Sequence, residues 1–180
     1  MVSSALAPLP SMATTTINSA GSLFEGTASA DVIQFETGAA AVRSSVDGAG
    51  GNDSIIISGE SFGVVTSTTL EGGDGDDTIK VYLSGGLDES SIAGGAGDDS
   101  IDFQGLELTD TTVVGGDGAD SIFVAYSGPD AFISDVVVNA GAGDDSIEVY
   151  AASGSTNLAV GGGSGNDTIV VNIYTAASNV

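Results

Sequence analysis

The chain has 180 residues, which is enough for one domain. Its 25 acidic and two basic residues give a net charge of −23, which repels nucleic acids and anionic membranes and attracts cations. Because Cys and His are absent, disulfides, catalytic thiols and the commonest general base are excluded. Many Gly, Asp and Ser residues at high charge are typical of disorder, but 41% apolar residues indicate a buried core.

Residues 1–22 carry no repeated motif, and we predict that they form an N-terminal arm or cap. Pro8 and Pro10 keep the start of this segment extended rather than helical. The first ten residues have neither the basic region nor the apolar stretch of a cleaved signal peptide. No segment of the chain reaches the roughly 20 apolar residues that a membrane helix needs, so we expect no membrane insertion.

Residues 23–180 are dominated by one repeated phrase, Gly-Gly-x-Gly-x-Asp-[Ser/Thr]-Ile. Copies begin at residues 26, 48, 72, 94, 115, 140 and 162, and the first copy (GTASADVI) has lost the glycines that follow Gly26. The sixth position is acidic in every copy: Asp31, Asp53, Asp77, Asp99, Asp120, Asp145 and Asp167. Neighbouring copies lie 21 to 25 residues apart, which is the length of one turn of a solenoid.

Each repeat predicts two short strands. After the Asp, apolar residues alternate with period two, as at Ile79 and Val81, which predicts a half-buried strand. A second strand is predicted before each glycine segment, because the residue two positions ahead of it is apolar in every copy, as at Leu70. The stretch between them, such as residues 84–89, varies in length. The pattern predicts an all-β protein, a parallel β-solenoid of about seven coils.

Stacking would place the seven Asp carboxylates in one column. Two carboxylates about 4.8 Å apart repel by roughly 3.5 kcal/mol at an effective dielectric constant of 20, so the column requires cations. Carboxylate and carbonyl oxygens without nitrogen or sulfur ligands favour a hard cation, and calcium accepts six to eight such oxygens more readily than magnesium. The alternative is that the Asp side chains only form Asx-turns, without any metal.

The phrase resembles the nonapeptide G-G-x-G-x-D-x-U-x of the RTX (repeats-in-toxin) family, whose parallel β-roll binds calcium. The resemblance covers about residues 24–173. In that family calcium lies between adjacent turns, held by backbone carbonyls of the glycine-rich loop and by the Asp. The resemblance therefore implies ligation by the seven Asp carboxylates, together with backbone oxygens of Gly48, Gly50, Gly72, Asp74, Gly94, Ala96, Gly115, Asp117, Ala140, Ala142, Gly162 and Ser164.

This chain departs from the family in the length of its coil. RTX rolls place two nonapeptides in a coil of 18 residues and so carry two columns of calcium, whereas here each coil has one motif. We therefore expect a single column of calcium sites, with about six ions in the six gaps between seven turns.

The chain offers no feature of an enzyme, since it has no nucleophile context, no basic cluster and no inserted domain that could hold a pocket. We expect a structural, extracellular or cell-surface protein that assembles head to tail with itself into a filament, surface layer or matrix. Contact with a cell surface or a polysaccharide fits the same role. Export without a cleaved signal, by a type I-like route, is expected. The alternatives are a calcium-dependent adhesion or ligand-binding module, including an ice-binding one, and a phage fibre or accessory protein.

Overall fold

A computed structural model describes residues 14–17, 21, 23–35, 43–59, 63–126, 132–152 and 154–174. Within these residues the chain forms strands and turns, and no helix is long and apolar enough to cross a membrane. The strands are β1 (Thr14–Ile17), β2 (Leu23–Glu25), β3 (Val32–Phe35), β4 (Ser45–Asp47), β5 (Ser54–Gly59), β6 (Val65–Thr66), β7 (Thr69–Asp74), β8 (Thr78–Leu83), β9 (Gly86–Asp88), β10 (Ser91–Ala96), β11 (Ser100–Gly105), β12 (Glu107–Thr109), β13 (Thr112–Asp117), β14 (Ser121–Tyr126), β15 (Phe132–Ala142), β16 (Ser146–Ala152), β17 (Thr156–Ser164) and β18 (Thr168–Tyr174).

The strands stack into two sheets in which every pairing is parallel. The first sheet has the order β1-β3-β5-β8-β11-β14-β16-β18 and contains the strand that follows each motif Asp. The second sheet contains the strands that lead into the glycine segments, β2-β4-β7-β10-β13-β15, with β17 paired to β15. Because the chain passes from one sheet to the other in every coil, the predicted parallel β-solenoid is confirmed, with seven motif-bearing strands in its first sheet.

The apolar side chains of both sheets meet in one continuous core. The residues that follow the motif Asp alternate as predicted; for example, Ile79, Val81, Ile101 and Phe103 are all at most 1% exposed. The last coil is the exception, because no described strand covers β18 and its inward-facing residues are exposed. The core of each inner coil is therefore covered by the coils stacked on either side, and its burial depends on these neighbours.

The stretch between the two predicted strands is more regular than its sequence indicates. It contains a third short strand in the central coils, formed by β6, β9, β12 and the start of β15, which pair with one another. A corner then turns the chain into the second sheet at a residue with positive φ, five positions ahead of each motif copy. At the first copy this residue is Gly21 (φ 71°), and at the later copies φ lies between 43° and 56° at Arg43, Ser67, Glu89, Asp110, Asp135 and Asn157. Because these six residues are not Gly, the later copies carry no sequence signal of a left-handed turn.

The residue directly after the corner carries a buried hydroxyl group in four successive coils. These residues are Ser44, Thr68, Ser90 and Thr111. The Thr68 N–H donates to Oγ of Ser90 over 3.0 Å, and Oγ of Ser90 donates to the Asp88 carbonyl over 2.7 Å. Later coils have apolar residues at this position, of which Val136 is fully buried. This corner is therefore lined by neutral hydroxyl groups, of which Thr68, Ser90 and Thr111 bond to main-chain carbonyls and Ser44 Oγ has no hydrogen-bond partner.

The N-terminal segment is described only in part. Thr14–Ile17 pairs with β3 in parallel and forms the outermost strand of the first sheet. Apart from these residues and Gly21, residues 1–22 lie outside the described residues, so their assignment as an arm or cap stays a prediction.

The burial of the core predicts different losses of stability for two Phe residues on neighbouring strands. Phe103 is 1% exposed inside the solenoid, whereas Phe123 lies on the outer face of the next strand. We expect Phe103→Ala to lower the free energy of unfolding by about 3–5 kcal/mol, because the cavity cannot be filled between stacked coils. Phe123→Ala is the matched control and should cost less than about 1 kcal/mol. Urea unfolding in saturating calcium measures both, and equal losses would contradict the assigned facing of the strands.

Candidate metal centre

The motif Asp residues form a hydrogen-bonded column along the solenoid. One carboxylate oxygen, Oδ1, of each Asp accepts the backbone N–H of the motif Asp in the preceding coil. Six such bonds, of 2.6 to 3.2 Å, join Asp31, Asp53, Asp77, Asp99, Asp120, Asp145 and Asp167 in order. The column is thus a ladder of charge-assisted hydrogen bonds rather than a row of isolated carboxylates.

The second oxygen of these carboxylates, Oδ2, lies in a different environment. Oδ2 is buried and has no hydrogen-bond partner in five residues: Asp53, Asp77, Asp99, Asp120 and Asp145. A buried anionic oxygen without a partner is strongly unfavourable, because it has lost its water and gained nothing in return. Five such oxygens stand in register, one per coil, so a cation bound along this line would relieve all five.

A main-chain oxygen lies beside each of these carboxylate oxygens. A methyl group built on Gly72 would come within 3.0 Å of both Oδ2 of Asp77 and the carbonyl oxygen of Gly94 in the next coil. The same is true at Gly94, where the two oxygens belong to Asp99 and Gly115. Glycine at the first motif position therefore leaves room in which a carboxylate and a carbonyl from adjacent coils face one space.

The pairing of the second sheet is interrupted at this same position. Ala93 pairs with Val114 and Gly95 pairs with Gly116, but the intervening Gly94 has no partner in the register. The interruption recurs between the other coils from β7 to β17. The first-position carbonyls are thus set apart from the regular ladder, as metal ligands would need to be.

The carbonyls of the third motif position are arranged differently. Those of Asp74, Ala96, Asp117, Ala142 and Ser164 accept the N–H of the fourth-position glycine in the preceding coil over 2.7 to 2.8 Å. Gly50 at this position forms an isolated bridge with Asp74. A carbonyl oxygen has two lone pairs, so these groups keep one acceptor site each. The fourth-position glycines have φ between 104° and 144°, which favours Gly over other residues.

The first, sixth and last copies differ from the others. In the first copy the Thr27 N–H donates to Oδ2 of Asp31 over 2.6 Å, so the backbone already satisfies this carboxylate. In the sixth copy the first position is Ala140, which is fully buried, in place of Gly. In the last copy Asp167 faces Gly162, and no described coil follows to supply a second carbonyl.

Burial changes the acidity of the central carboxyls. Loss of solvent raises the pKa of Asp99 to about 7 and the pKa values of Asp53 and Asp120 to about 6. The pKa of Asp77 is raised for the same reason. In each case the hydrogen bond from the preceding Asp N–H opposes the shift and does not cancel it. Near neutral pH a cation that bound to these groups would therefore compete with a proton.

The fifth motif position forms a second, exposed ladder. Oδ1 of Asn52 accepts the Asp76 N–H, Oδ1 of Asp76 accepts the Asp98 N–H, and Oδ1 of Asp98 accepts the Ala119 N–H, over 2.8 to 3.1 Å. Here the side chain accepts from the following coil, whereas at the sixth position it accepts from the preceding coil. The two ladders therefore tie each pair of coils in both directions, and the exposed acids stay in contact with water.

The donor set defines the kind of site. Among the described residues, no group of three or more acidic side chains is close enough to hold a metal ion. A site in this column must therefore combine a carboxylate with main-chain carbonyls, all of them oxygen ligands. Such a set suits calcium, which accepts carbonyl and carboxylate oxygens in an adaptable geometry.

The fold and this column define the class of protein, a parallel β-solenoid with oxygen-lined sites between its coils. The family model for the RTX calcium-binding nonapeptide repeat (4 copies) matches residues 63–80, 82–105 and 109–124. The matched segments are RTX repeats, which bind calcium, and together with the stacked parallel coils they support the RTX β-roll that the sequence indicated. No curated protein and no solved structure matches the chain. The ligand assignment residue by residue stays a prediction.

The raised pKa values predict how the metal-free fold depends on pH. An unfolded Asp has a pKa near 3.9, so the folded chain holds protons that the unfolded chain releases. The stabilising contribution is complete below about pH 4 and is lost as the pH rises through the folded-state values of about 6 to 7. Without calcium, the chain should therefore be more stable at pH 5 than at pH 7.5. Thermal unfolding after removal of calcium measures this, and stability that rises over that range would contradict it.

Two adjacent carboxylates allow a matched test of the site. In Asp99→Asn, the amide oxygen can keep the ladder bond to Asp77, and its NH₂ group can donate to the Gly115 carbonyl. Removing the unpaired charge should stabilise the metal-free chain by about 1–3 kcal/mol and raise the calcium midpoint severalfold.

Asp98→Asn is the control, because it removes the same charge from the exposed ladder. It should leave the calcium midpoint nearly unchanged. Equal effects of both variants in calcium titrations of unfolding would mean that calcium responds to bulk charge and not to ligation.

Proposed function

We propose that this protein is an extracellular structural solenoid that calcium folds, and that its copies join head to tail into a filament, surface layer or matrix. The observation that carries the calcium part is the row of five buried carboxylate oxygens without a hydrogen-bond partner. Each coil from the second to the sixth motif copy contributes one of these oxygens, and the hydrogen bond to Oδ1 of the same carboxylate fixes its position. No other described feature of the chain explains why five charges are buried in this way.

The ions belong in the gaps where an unpaired carboxylate oxygen meets the following coil. The ligands we propose are Oδ2 of the motif Asp, the first-position carbonyl of the next coil and the spare lone pairs of the third-position carbonyls. Seven turns leave six gaps, but the Thr27 N–H already satisfies Asp31 in the first gap. We therefore propose five ions, in the gaps that begin at Asp53, Asp77, Asp99, Asp120 and Asp145.

Calcium would act in place of the staples that small secreted domains commonly use. The chain has no Cys, and its net charge of −23 opposes compaction. Five divalent ions would remove ten of these charges at the place where the carboxylates lie closest. Extracellular calcium, at millimolar concentration, suits sites of the weak affinity that such modules have.

The extracellular and non-catalytic parts of the proposal follow the family. RTX repeats are generally found in secreted proteins and are typically non-catalytic. The described residues form repeated coils from end to end, without an inserted domain. A type I-like export route is part of the same proposal.

The second candidate is a calcium-dependent binding module, for a cell surface, a polysaccharide or ice. The outer face of the first sheet favours it to a limited extent, since the rings of Phe123, Tyr150 and Tyr174 form a file with centroids 5.8 Å apart. However, the rings of Tyr150 and Tyr174 stack on each other at 8°, so one face of each ring is occupied. A phage fibre or accessory role would use the same fold and the same ions.

Calcium should drive folding, because the unfolded chain has no preformed site and the ions relieve the buried charge. We expect a cooperative gain of β-structure with a midpoint on the order of 10⁻⁴ to 10⁻³ M calcium at neutral pH. Circular dichroism during a calcium titration measures this, and magnesium at the same concentration is the control. A full β spectrum in the presence of a chelator at pH 7.5 would contradict the proposal.

A further inference from the structure

We infer that the C-terminal end of the solenoid, formed by β18, docks on the N-terminal end of a second copy of this chain, formed by β1 and β2. The inference rests on the assembly part of the proposed function, and it specifies the two surfaces that meet. Four observations carry it: an open core, the location of exposed apolar residues, the location of charge, and the polarity of the sheet.

The hydrophobic core is open at β18. The side chains of Ile169, Val171 and Ile173 continue the inward-facing rows of the first sheet, but they are 43%, 41% and 64% exposed. The three residues that pair with them one coil earlier are at most 1% exposed. The difference in burial arises because one further coil covers the earlier coil, and no described coil covers β18. A second copy would supply that covering layer.

Exposed apolar residues concentrate at the two ends. Among the described residues, large hydrophobic side chains are exposed at Leu23, Val64, Val137, Ile169, Val170, Val171, Ile173 and Tyr174. Five of these belong to β18, and Leu23, which is 83% exposed, opens β2 at the other end. The flanks of the solenoid contribute only two. Apolar surface that is concentrated in this way marks a contact between macromolecules.

Charge shows the opposite distribution. All 27 charged side chains of the protein lie between residues 25 and 167, and none lies in residues 1–24 or 168–180. The flanks of neighbouring copies therefore repel each other, whereas β1 and β18, the strands that would meet, carry no charged side chain. In a chain with a net charge of −23, these two strands are the sheet edges on which copies can meet with the least charge repulsion.

The polarity of the first sheet selects head-to-tail contact. All its strands are parallel, and its two edges are β1 and β18. Translating one copy along the solenoid axis places its β1 parallel to β18 of the first copy, which continues the sheet. The two surfaces differ, so the contact is heterologous and repeats into an open chain. A two-fold contact between two β18 strands would instead be antiparallel and would stop at a dimer.

Charge introduced at either end tests the inference. Ile173→Asp disables the C-terminal surface and Leu23→Asp disables the N-terminal surface. Val137→Asp is the control, since Val137 is 45% exposed on a flank and the charge change is the same. We expect each end variant to require about tenfold or more higher concentration for assembly in calcium, because a charge would be buried in the junction. The control and the unmodified chain should assemble alike, with identical circular dichroism in all four.

The mixture of the two end variants is the decisive sample in analytical ultracentrifugation. Each variant keeps one intact surface, so an equimolar mixture should give dimers and nothing larger, while each variant alone stays monomeric. If Leu23→Asp alone forms dimers, β18 meets β18 and the head-to-tail junction is overturned. Assembly of both end variants at the concentration of the unmodified chain would overturn these surfaces but leave assembly itself standing. An unmodified chain that folds in calcium yet remains monomeric would overturn the inference and the assembly proposal, but not the calcium sites.

Discussion

One carboxylate per coil is buried with one oxygen bonded and the other unpaired, and the rest of the structure depends on this arrangement. The bonded oxygen receives the N–H of the preceding motif Asp, so it fixes the spacing and register of the coils. The unpaired oxygen carries a cost that the backbone does not relieve in the central coils. The same Asp carboxylates therefore define the stacked structure and oppose its formation when no cation is bound.

This arrangement links folding to the environment. Under the proposed calcium binding, a chain in little calcium keeps its carboxylates hydrated and has no reason to bury them. Where calcium is abundant, the same carboxylates would become ligands, and the stacking of each coil would prepare the site for the next. The opposite corner of the coil, held by Ser90 and Thr111 through neutral hydrogen bonds, does not take part in this exchange. The proposed dependence on calcium is thus confined to one column along the solenoid.

The sequence was sufficient to predict the fold and the acidic column, because both depend on strict periodicity. The motif Asp recurs every 21 to 25 residues and the apolar alternation follows it, so strand, facing and register were all encoded locally. The corner at Ser67 and Glu89 was not predictable, because these residues adopt positive φ without the Gly that marks such a turn. The different hydrogen bonding of the two oxygens of each carboxylate, Oδ1 and Oδ2, was not predictable either. It depends on which backbone N–H reaches Asp31 or Asp99, and only the stacked coils determine that.

The central claim is that calcium occupies the gaps of this column, and counting bound ions tests it most directly. Native mass spectrometry of the folded chain in millimolar calcium should show five bound ions, one for each unpaired carboxylate oxygen. The ions should be acquired together, in step with the compact charge-state distribution. A compact chain that retains no calcium would contradict the claim.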